Sequence, residues 1–363
     1  MEVGVLGAGQ LGRMLALAGH PLGLRFCFLD PTPNSPASGL GEHVVAPWDD
    51  SAALARLARA DVVTFEFENV PVDALHWLRD HVRVLPNPRA LEVGRDRLQE
   101  KTRFRELGIP TADFRAVDDE ASLLAAVAEL GTPCLLKTRR FGYDGKGQAL
   151  IREPAEASAA YAALAGQPLI LEAFVRFQRE LSILCVRGQS GETRFYPLIE
   201  NQHREGILRL SRAPALQVSP EQRASAERHA ERLLADLDYV GVLALELFDV
   251  GGTLFANELA PRVHNSGHFS IEGARTSQFE NHLRAVCGLP LGDTSLLGPS
   301  AMLNLIGHVP PKAPLLEVPD LHLHDYGKAP RAQRKVGHLT LRARDDAELE
   351  TRLAHVQALL ASG

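Results

Sequence analysis

Arg139-Arg140-Phe141-Gly142-Tyr143-Asp144-Gly145-Lys146-Gly147-Gln148 sets three glycines among three cations in ten residues. It follows an apolar run, Pro133-Cys134-Leu135-Leu136-Lys137, with the length and composition of a short buried strand that ends in a fourth cation. Glycine lets backbone N–H groups turn toward an anion with no Cβ in the way. Lysine and arginine supply charge for phosphate. The segment therefore reads as a mobile flap over a polyphosphate, with a basic surface hairpin as the plain alternative. It is not a Walker loop, because G-x-x-x-x-G-K-[ST] is absent.

Toward the N-terminus, Glu2–Leu6 reads as a buried strand, followed by Gly7-Ala8-Gly9-Gln10-Leu11-Gly12 and a helix over about 13–18. A second strand, Arg25–Leu29, ends at Asp30. This is a βαβ start with an acid where a dinucleotide fold binds ribose, which taken alone favours NAD. Two other readings stand beside it: tight strand-to-helix packing, or a helix N-terminus holding another nucleotide's phosphate. The alternation continues through a helix over 51–59 and a strand over 62–67 that runs into Glu66-Phe67-Glu68-Asn69-Val70. Glu68 and Asn69 fall at a strand's carboxyl end, where open α/β sheets bind ligands, although surface capping explains them equally. A short strand over 82–85 precedes Pro86 and Pro88, which mark a boundary.

Toward the C-terminus, Arg97–Glu106 is a charged helix, and 121–129 and 155–164 are helical. A strand over 168–171 opens into Glu172-Ala173-Phe174-Val175, which suits an adenine edge or a plain connector. Strands follow over 180–186 and 193–197, and Asn201-Gln202-His203 reads as a polar loop before a long helix over 220–237. Next comes a hairpin, 241–248 and 254–259, carrying Glu246 in one arm and Asn257 and Glu258 in the other. Burying an unpaired carboxylate is costly. Two carboxylates and an amide at one end of a buried hairpin therefore suggest a hard divalent cation rather than edge charges. Arg262, His264, Asn265, Ser266 and His268 follow at once and suit a small oxyanion. A turn-rich linker over 293–299 leads to a last unit with strands near 301–306, 321–324 and 338–342 and a helix N-capped by Asp345. Arg331, Arg334 and Lys335 precede the final strand as a surface patch or a phosphate site.

The bulk numbers are ordinary for a soluble globular chain of two or three units: 363 residues, 45% hydrophobic and 23% charged. A net charge of −6 argues against general nucleic-acid binding. Cys27, Cys134, Cys185 and Cys287 are far apart and read as core residues in a reducing compartment. There is no leader-like N-terminus and no apolar stretch long enough to span a membrane, so the expected compartment is the cytosol.

Seven segments together resemble the ATP-grasp superfamily, and within it the N5-carboxyaminoimidazole ribonucleotide synthetases of purine synthesis. They are GAGQLGRM (7–14), FEFENV (65–70), KTRRFGYDGKGQ (137–148), YPLIENQH (196–203), NELAPRVHNSGH (257–268), SQFENHLRAV (277–286) and RKVGHL (334–339). The resemblance implies an α/β and α+β chain with an ATP-grasp fold. A Rossmann-like pre-ATP-grasp domain would cover 1–90, the ATP-grasp domain 91–292 with the flap at 139–148, and a small substrate-closing domain 293–363. It implies an ATP-dependent carbon–nitrogen ligase using Mg²⁺, or Mn²⁺, to carboxylate 5-aminoimidazole ribonucleotide with bicarbonate through carboxyphosphate. It also implies a homodimer with no nucleic-acid or membrane partner. A formate-using ligase of the glycinamide ribonucleotide transformylase type is the rival within the superfamily.

Residue roles carry over from the same motifs. Arg97 and Lys137 would contact ATP phosphates, covered by Gly142, Tyr143, Asp144, Gly145, Lys146, Gly147 and Gln148. Glu172, Ala173, Phe174 and Val175 would hold adenine, Glu180 the ribose, and His203 a further part of the nucleotide. Glu246 and Glu258 would be the metal carboxylates, with Asn257 adjacent. Arg262, His264 and Asn265 would hold bicarbonate and carboxyphosphate, with Asp144 and Lys335 also catalytic. Gln10, Glu68, Tyr143, Arg331 and Lys335 would surround the ribonucleotide.

Overall fold

The computed structural model describes residues 1–142, 146–164 and 166–362. The expected roles of Tyr143, Asp144 and Gly145 therefore lie outside the described residues.

Among the described residues the apolar runs assemble into three sheets. The N-terminal sheet is parallel, in the order Glu42–Val44, Arg25–Leu29, Glu2–Leu6, Val62–Phe65. Val84 adds a single parallel bridge to Val63, so the expected strand over 82–85 is reduced to one pair. The helix Gln10–Gly19 starts inside the glycine-rich turn, three residues earlier than its apolar stripe suggests.

The second sheet is antiparallel, in the order Phe114–Val117, Leu169–Ala173, Cys134–Thr138, Gln148–Ile151. The helices Glu120–Leu130 and Ala157–Leu164 close its core around Leu123, Val127, Leu136, Leu169 and Leu171. Both arms of the flap are strands of this sheet, with Lys137 paired to Gln148. Flap and adenine-linker positions are thus fixed by one core.

The third sheet has nine strands. The hairpin Gly241–Val250 and Thr253–Ala260 lies at one end, beside Arg179–Arg187 and then Ile199–Arg204 and Ile207–Ala213. Ser300–Ile306 pairs with Ile207–Ala213, so Lys335–Arg342 and Leu321–Asp325 continue the same sheet. The C-terminal unit shares Leu210 in its core with the preceding strand. Residues 331–335 are therefore tied to the central sheet rather than to a separate body.

Asn201-Gln202-His203, expected in a loop, lies on the strand Ile199–Arg204. Asn201 faces Ser211 across the ladder and is buried, and a bulge follows at Gln202/His203. The polarity of Asn201 marks an internal hydrogen-bond network, while Gln202 is exposed.

Candidate active site

The hairpin places Glu246 and Glu258 as Cα partners on adjacent strands. Like charges directly opposite repel. Burial raises both carboxyls, and the outcome splits them. For Glu246, His264 Nε2 at 3.1 Å from Oε1, with charge from His203 and Lys335, brings the carboxyl down to about 2. For Glu258, burial and then the charges of Glu246 and Glu68 push it up to about 7. Glu100 adds a third acid: it is 2% exposed, accepts a hydrogen bond from Leu259 N–H, and is raised by burial and then by Glu258. Among the described residues no cluster of three or more acid, histidine or cysteine side chains forms a complete metal cage. Two adjacent carboxylates fit Mg²⁺, which takes one or two protein carboxylates and completes its shell with phosphate and water. The backbone carbonyl of Asn257 accepts from Lys101 Nζ at 2.9 Å.

The segment after the hairpin folds back over these carboxylates. Arg262 forms an ion pair with Glu68, joining the ATP-grasp unit to the end of an N-terminal strand. His264 is held at its backbone by Gln278, which donates from Nε2 to the carbonyl at 2.6 Å and accepts from the N–H at 2.9 Å. Asn265 and Asn304 exchange amide hydrogen bonds of 3.1 and 2.6 Å. Gln278 and Asn304 were not singled out in the sequence.

On the nucleotide side, Lys137 Nζ lies 2.9 Å and Lys101 Nζ 3.4 Å from Glu172 Oε2. Burial raises the Glu172 carboxyl, but the two ammonium groups overcome it and bring it to about 2. Burial lowers Lys137, which Glu172 partly restores. Glu172 therefore meets the two lysines through Oε2, while its Oε1 is buried with no hydrogen-bond partner among the described residues. Ala173 N–H donates to Asp113 O and Phe174 N–H to Pro133 O. Glu180 pairs with His203.

The flap base is stapled rather than open. Arg97 donates to Thr138 O at 3.0 Å and Gly142 O at 3.2 Å. Arg139 binds Asp96 through Nε at 3.0 Å and Nη2 at 2.9 Å, and Arg140 Nε lies 3.2 Å from the same carboxylate. Asp96 also caps the helix Arg97–Glu106. Two of the four cations credited with phosphate charge thus serve the fold. Gly147 has φ +71°, and a Cβ there would sit 2.7 Å from Thr138 Oγ1, so the return of the flap requires glycine. Lys146 is exposed.

The glycine-rich turn corrects the NAD reading. The Glu66 carboxylate accepts from Gly9 N–H and, at 2.6 Å, from Gly12 N–H. A Cβ on Gly9 would sit 2.6 Å from that carboxylate. Asp30 accepts from Ala8 N–H at 3.0 Å and Thr32 N–H at 2.8 Å. The donors that would cradle a pyrophosphate are filled by the protein's own acid, and the ribose acid braces the turn. Burial raises Glu66 before the two amides lower it.

Gln10, the first residue of the following helix, accepts from Lys328 Nζ in the C-terminal unit. Burial lowers Lys328 to about 8, with Arg334, Lys335 and Arg331 acting in the same direction and Glu66 opposing. Lys328 was absent from the expected set. The charge of Lys335 adds a minor downward pull on Glu246 and opposes the net upward shift of His203. A separate groove of about 720 Å³, lined by Arg179, Gln222, His229, Arg232 and Asp249 among others, contains none of the expected site residues.

Comparison with known proteins follows this division. The chain matches the ribonucleotide synthetase preATP-grasp domain over 1–95, the ATP-grasp domain over 102–279, and the phosphoribosylaminoimidazole carboxylase C-terminal domain over 300–352. It is 56% identical over 361 residues to an N5-carboxyaminoimidazole ribonucleotide synthase of Pseudomonas aeruginosa, covering 99% of each chain. Among solved structures, the Thermus thermophilus N5-carboxyaminoimidazole ribonucleotide synthetase superposes with a TM-score of 0.95 at 56% identity over 98% of both chains. An Aspergillus clavatus N5-carboxyaminoimidazole synthase, in complex with ADP and 5-aminoimidazole ribonucleotide, gives 0.92 at 32% identity over 100% of this chain and 99% of that one.

Proposed function

Because the chain belongs to the N5-carboxyaminoimidazole ribonucleotide synthase family of ATP-grasp ligases, we propose a specific division of its residues over the reaction. The protein carboxylates 5-aminoimidazole ribonucleotide to N5-carboxyaminoimidazole ribonucleotide at the expense of ATP, in purine biosynthesis. Bicarbonate is the carboxyl donor in this reading. Its oxygen takes the γ-phosphoryl group of ATP, ADP leaves, and the resulting carboxyphosphate gives its carboxyl group to the ribonucleotide's amine. Phosphate departs from carbon, and the amine loses a proton.

The observation that carries this division is the His264–Glu246 hydrogen bond. It joins the hairpin carboxylates to the segment of Arg262 and Asn265, so phosphoryl transfer and carboxylation share one corner. Mg²⁺, or Mn²⁺, on Glu246 and Glu258 would neutralise charge on the transferring phosphoryl group. Arg262, positioned by Glu68, and Asn265, positioned by Asn304, hold the bicarbonate oxygens. Arg97, the Lys137–Glu172–Lys101 cluster and the flap 142–148 hold the polyphosphate, and 172–175 present backbone to adenine. Glu180 and His203 complete the nucleotide side. Gln10, Glu68, Arg331 and Lys328 surround the ribonucleotide, with Lys335 at the reacting end, and the roles expected of Tyr143 and Asp144 belong to residues outside the described ones. A homodimer belongs to the same reading. Carboxyphosphate hydrolyses readily, so exclusion of water matters at this corner.

The test is ADP release with ATP, Mg²⁺, bicarbonate and 5-aminoimidazole ribonucleotide, omitting each in turn. Release should need both bicarbonate and the ribonucleotide. Release that ignores the ribonucleotide, or that formate sustains in place of bicarbonate, would overturn the assignment.

Lys328 gives this reading a pH signature. With its pKa at about 8, the ammonium is present below that pH and lost above it. A phosphate dianion needs the charged form. The KM for the ribonucleotide should stay level below pH 8 and climb above it, while the KM for ATP does not follow. A ribonucleotide KM that is level to pH 9 would remove Lys328 from the site.

A further inference from the structure

The hairpin that carries Glu246 and Glu258 is irregular at its acids. Leu247 faces Ala256 and Glu246 faces Glu258, so Asn257 is the extra residue of a β-bulge placed directly before Glu258. A bulge re-aims the side chains beside it and takes its extra residue out of the ladder. Thr253–Ala260 is also the end strand of the central sheet, so a row of its backbone groups faces away from the hairpin. The groups on either side of Glu258 are met by consecutive residues of one helix. Lys101 Nζ donates to Asn257 O at 2.9 Å, and Glu100 Oε1 accepts from Leu259 N–H at 2.5 Å.

Covering a sheet edge does not call for ionisable groups. At the residue before the bulge, Ala256 N–H donates to Pro110 O at 2.6 Å and Ala256 O accepts from Thr111 Oγ1 at 2.7 Å. Beside Glu258 the cover is instead an acid 2% exposed and a lysine 1% exposed. Burying such groups costs more than burying the neutral ones that suffice next door. Their support is rigid. The helix Arg97–Glu106 is capped by Asp96 and anchored by Phe104, which is fully buried. Lys101 Nζ also lies 3.4 Å from Glu172 Oε2, which ties the bulge to the strand Leu169–Ala173 of the second sheet.

We propose that Glu100 and Lys101 are positioning residues for Glu258, gripping the main chain on both of its sides and so aiming its carboxylate at the cation. Glu100 acts through the Leu259 N–H and Lys101 through the Asn257 carbonyl. A carboxylate whose direction is fixed in advance binds its ion more tightly than one that must be ordered on binding. This inference rests on the placement of Glu258 at the metal given above.

The test measures the dissociation constant of Mn²⁺ from the full chain with ADP bound, read from the EPR signal of the free ion. Lys101→Met removes the donor to Asn257 at nearly the same side-chain length. By charge alone, loss of a cation near the site should tighten Mn²⁺ binding. The grip predicts the opposite, a loss of about ten- to a hundredfold, the scale of removing an outer partner of a metal ligand. Tighter or unchanged binding in the folded variant overturns the proposal. Should Lys101→Met not fold, Glu100→Leu, which leaves Leu259 without its acceptor, carries the same expectation. Glu100→Gln restores an acceptor without the carboxylate and should recover most of the affinity; equal losses in the two Glu100 variants would mean that its charge draws the ion, and would overturn the grip. Turnover gives a second readout. Glu258→Gln has no carboxylate left to aim, so adding Lys101→Met to it should cost less than about threefold more, and a full additional loss overturns the proposal. If Glu258→Gln by itself leaves Mn²⁺ binding unchanged, the metal reading falls and the proposal with it. If Glu258→Gln loses Mn²⁺ while the helix variants keep it, the proposal alone falls.

Discussion

Glu258→Gln is expected to lower ATP turnover by about 100- to 1000-fold, the range seen when one preorganised electrostatic group is removed from a transition state. The substitution keeps the side chain's shape, so the loss would come from charge. Glu258 stands opposite Glu246 in the hairpin and is held up to about 7 by burial and by that neighbour. An acid raised in this way favours its protonated form when no cation is bound. Its contribution to stability is present below its unfolded pKa and is lost as pH rises through about 7. A neutral glutamine escapes that loss. Metal-free Glu258→Gln should therefore melt no lower than the wild type near pH 8, while turnover collapses. Turnover within about threefold of the wild type at ordinary Mg²⁺ would remove Glu258 from the metal site. A lower melting temperature would show that the carboxylate serves the fold instead.

The parts of this site that were legible in the sequence are those whose chemistry is local. The flap announces itself through glycines and cations, and the hairpin through a carboxylate inside an apolar strand. The strand before the flap and both arms of the hairpin lie where apolar runs suggested. What stayed hidden depends on partners far away in the chain. Glu66 read as one acid at a strand end, yet it reaches back 57 residues to Gly9 and changes the meaning of the glycine motif. Asn304 meets Asn265 across 39 residues. Lys101 and Glu100 belong to a helix that reads only as charged, although both are at most 2% exposed. Their signal was spacing: each lies three or four residues from Phe104, which is fully buried. Lys328 had a compositional signal, as a fourth cation within eight residues of Lys335. The pairing of Arg139 and Arg140 with Asp96 had none, because that acid is 43 and 44 positions away.

Lys335→Ala should separate the two ends of the ribonucleotide site. The sequence set Lys335 beside Arg331 as a phosphate pair. In the structure, Lys328 reaches Gln10 on the N-terminal domain, whereas the charge of Lys335 falls on Glu246 and His203. Lys335 also begins the strand Lys335–Arg342, whose ladder fixes its direction, while Arg331 is exposed in the loop before it. In the proposed division of residues, a cation beside Glu246 would stand where bicarbonate is phosphorylated, and its value would rise as negative charge gathers there. Such a contact is worth about 1.5–3 kcal/mol, or roughly ten- to a hundredfold. Because it acts most on the transition state, the loss should appear in kcat at saturating ribonucleotide, with smaller changes in the two KM values. Lys335→Arg should recover part of kcat, since the charge returns with different geometry. If the ribonucleotide KM rises while kcat holds, Lys335 binds phosphate as its sequence neighbours suggested. If the ATP KM moves alone, Lys335 belongs to the nucleotide clamp, and residues 331–335 close over the wrong substrate for the mechanism drawn above.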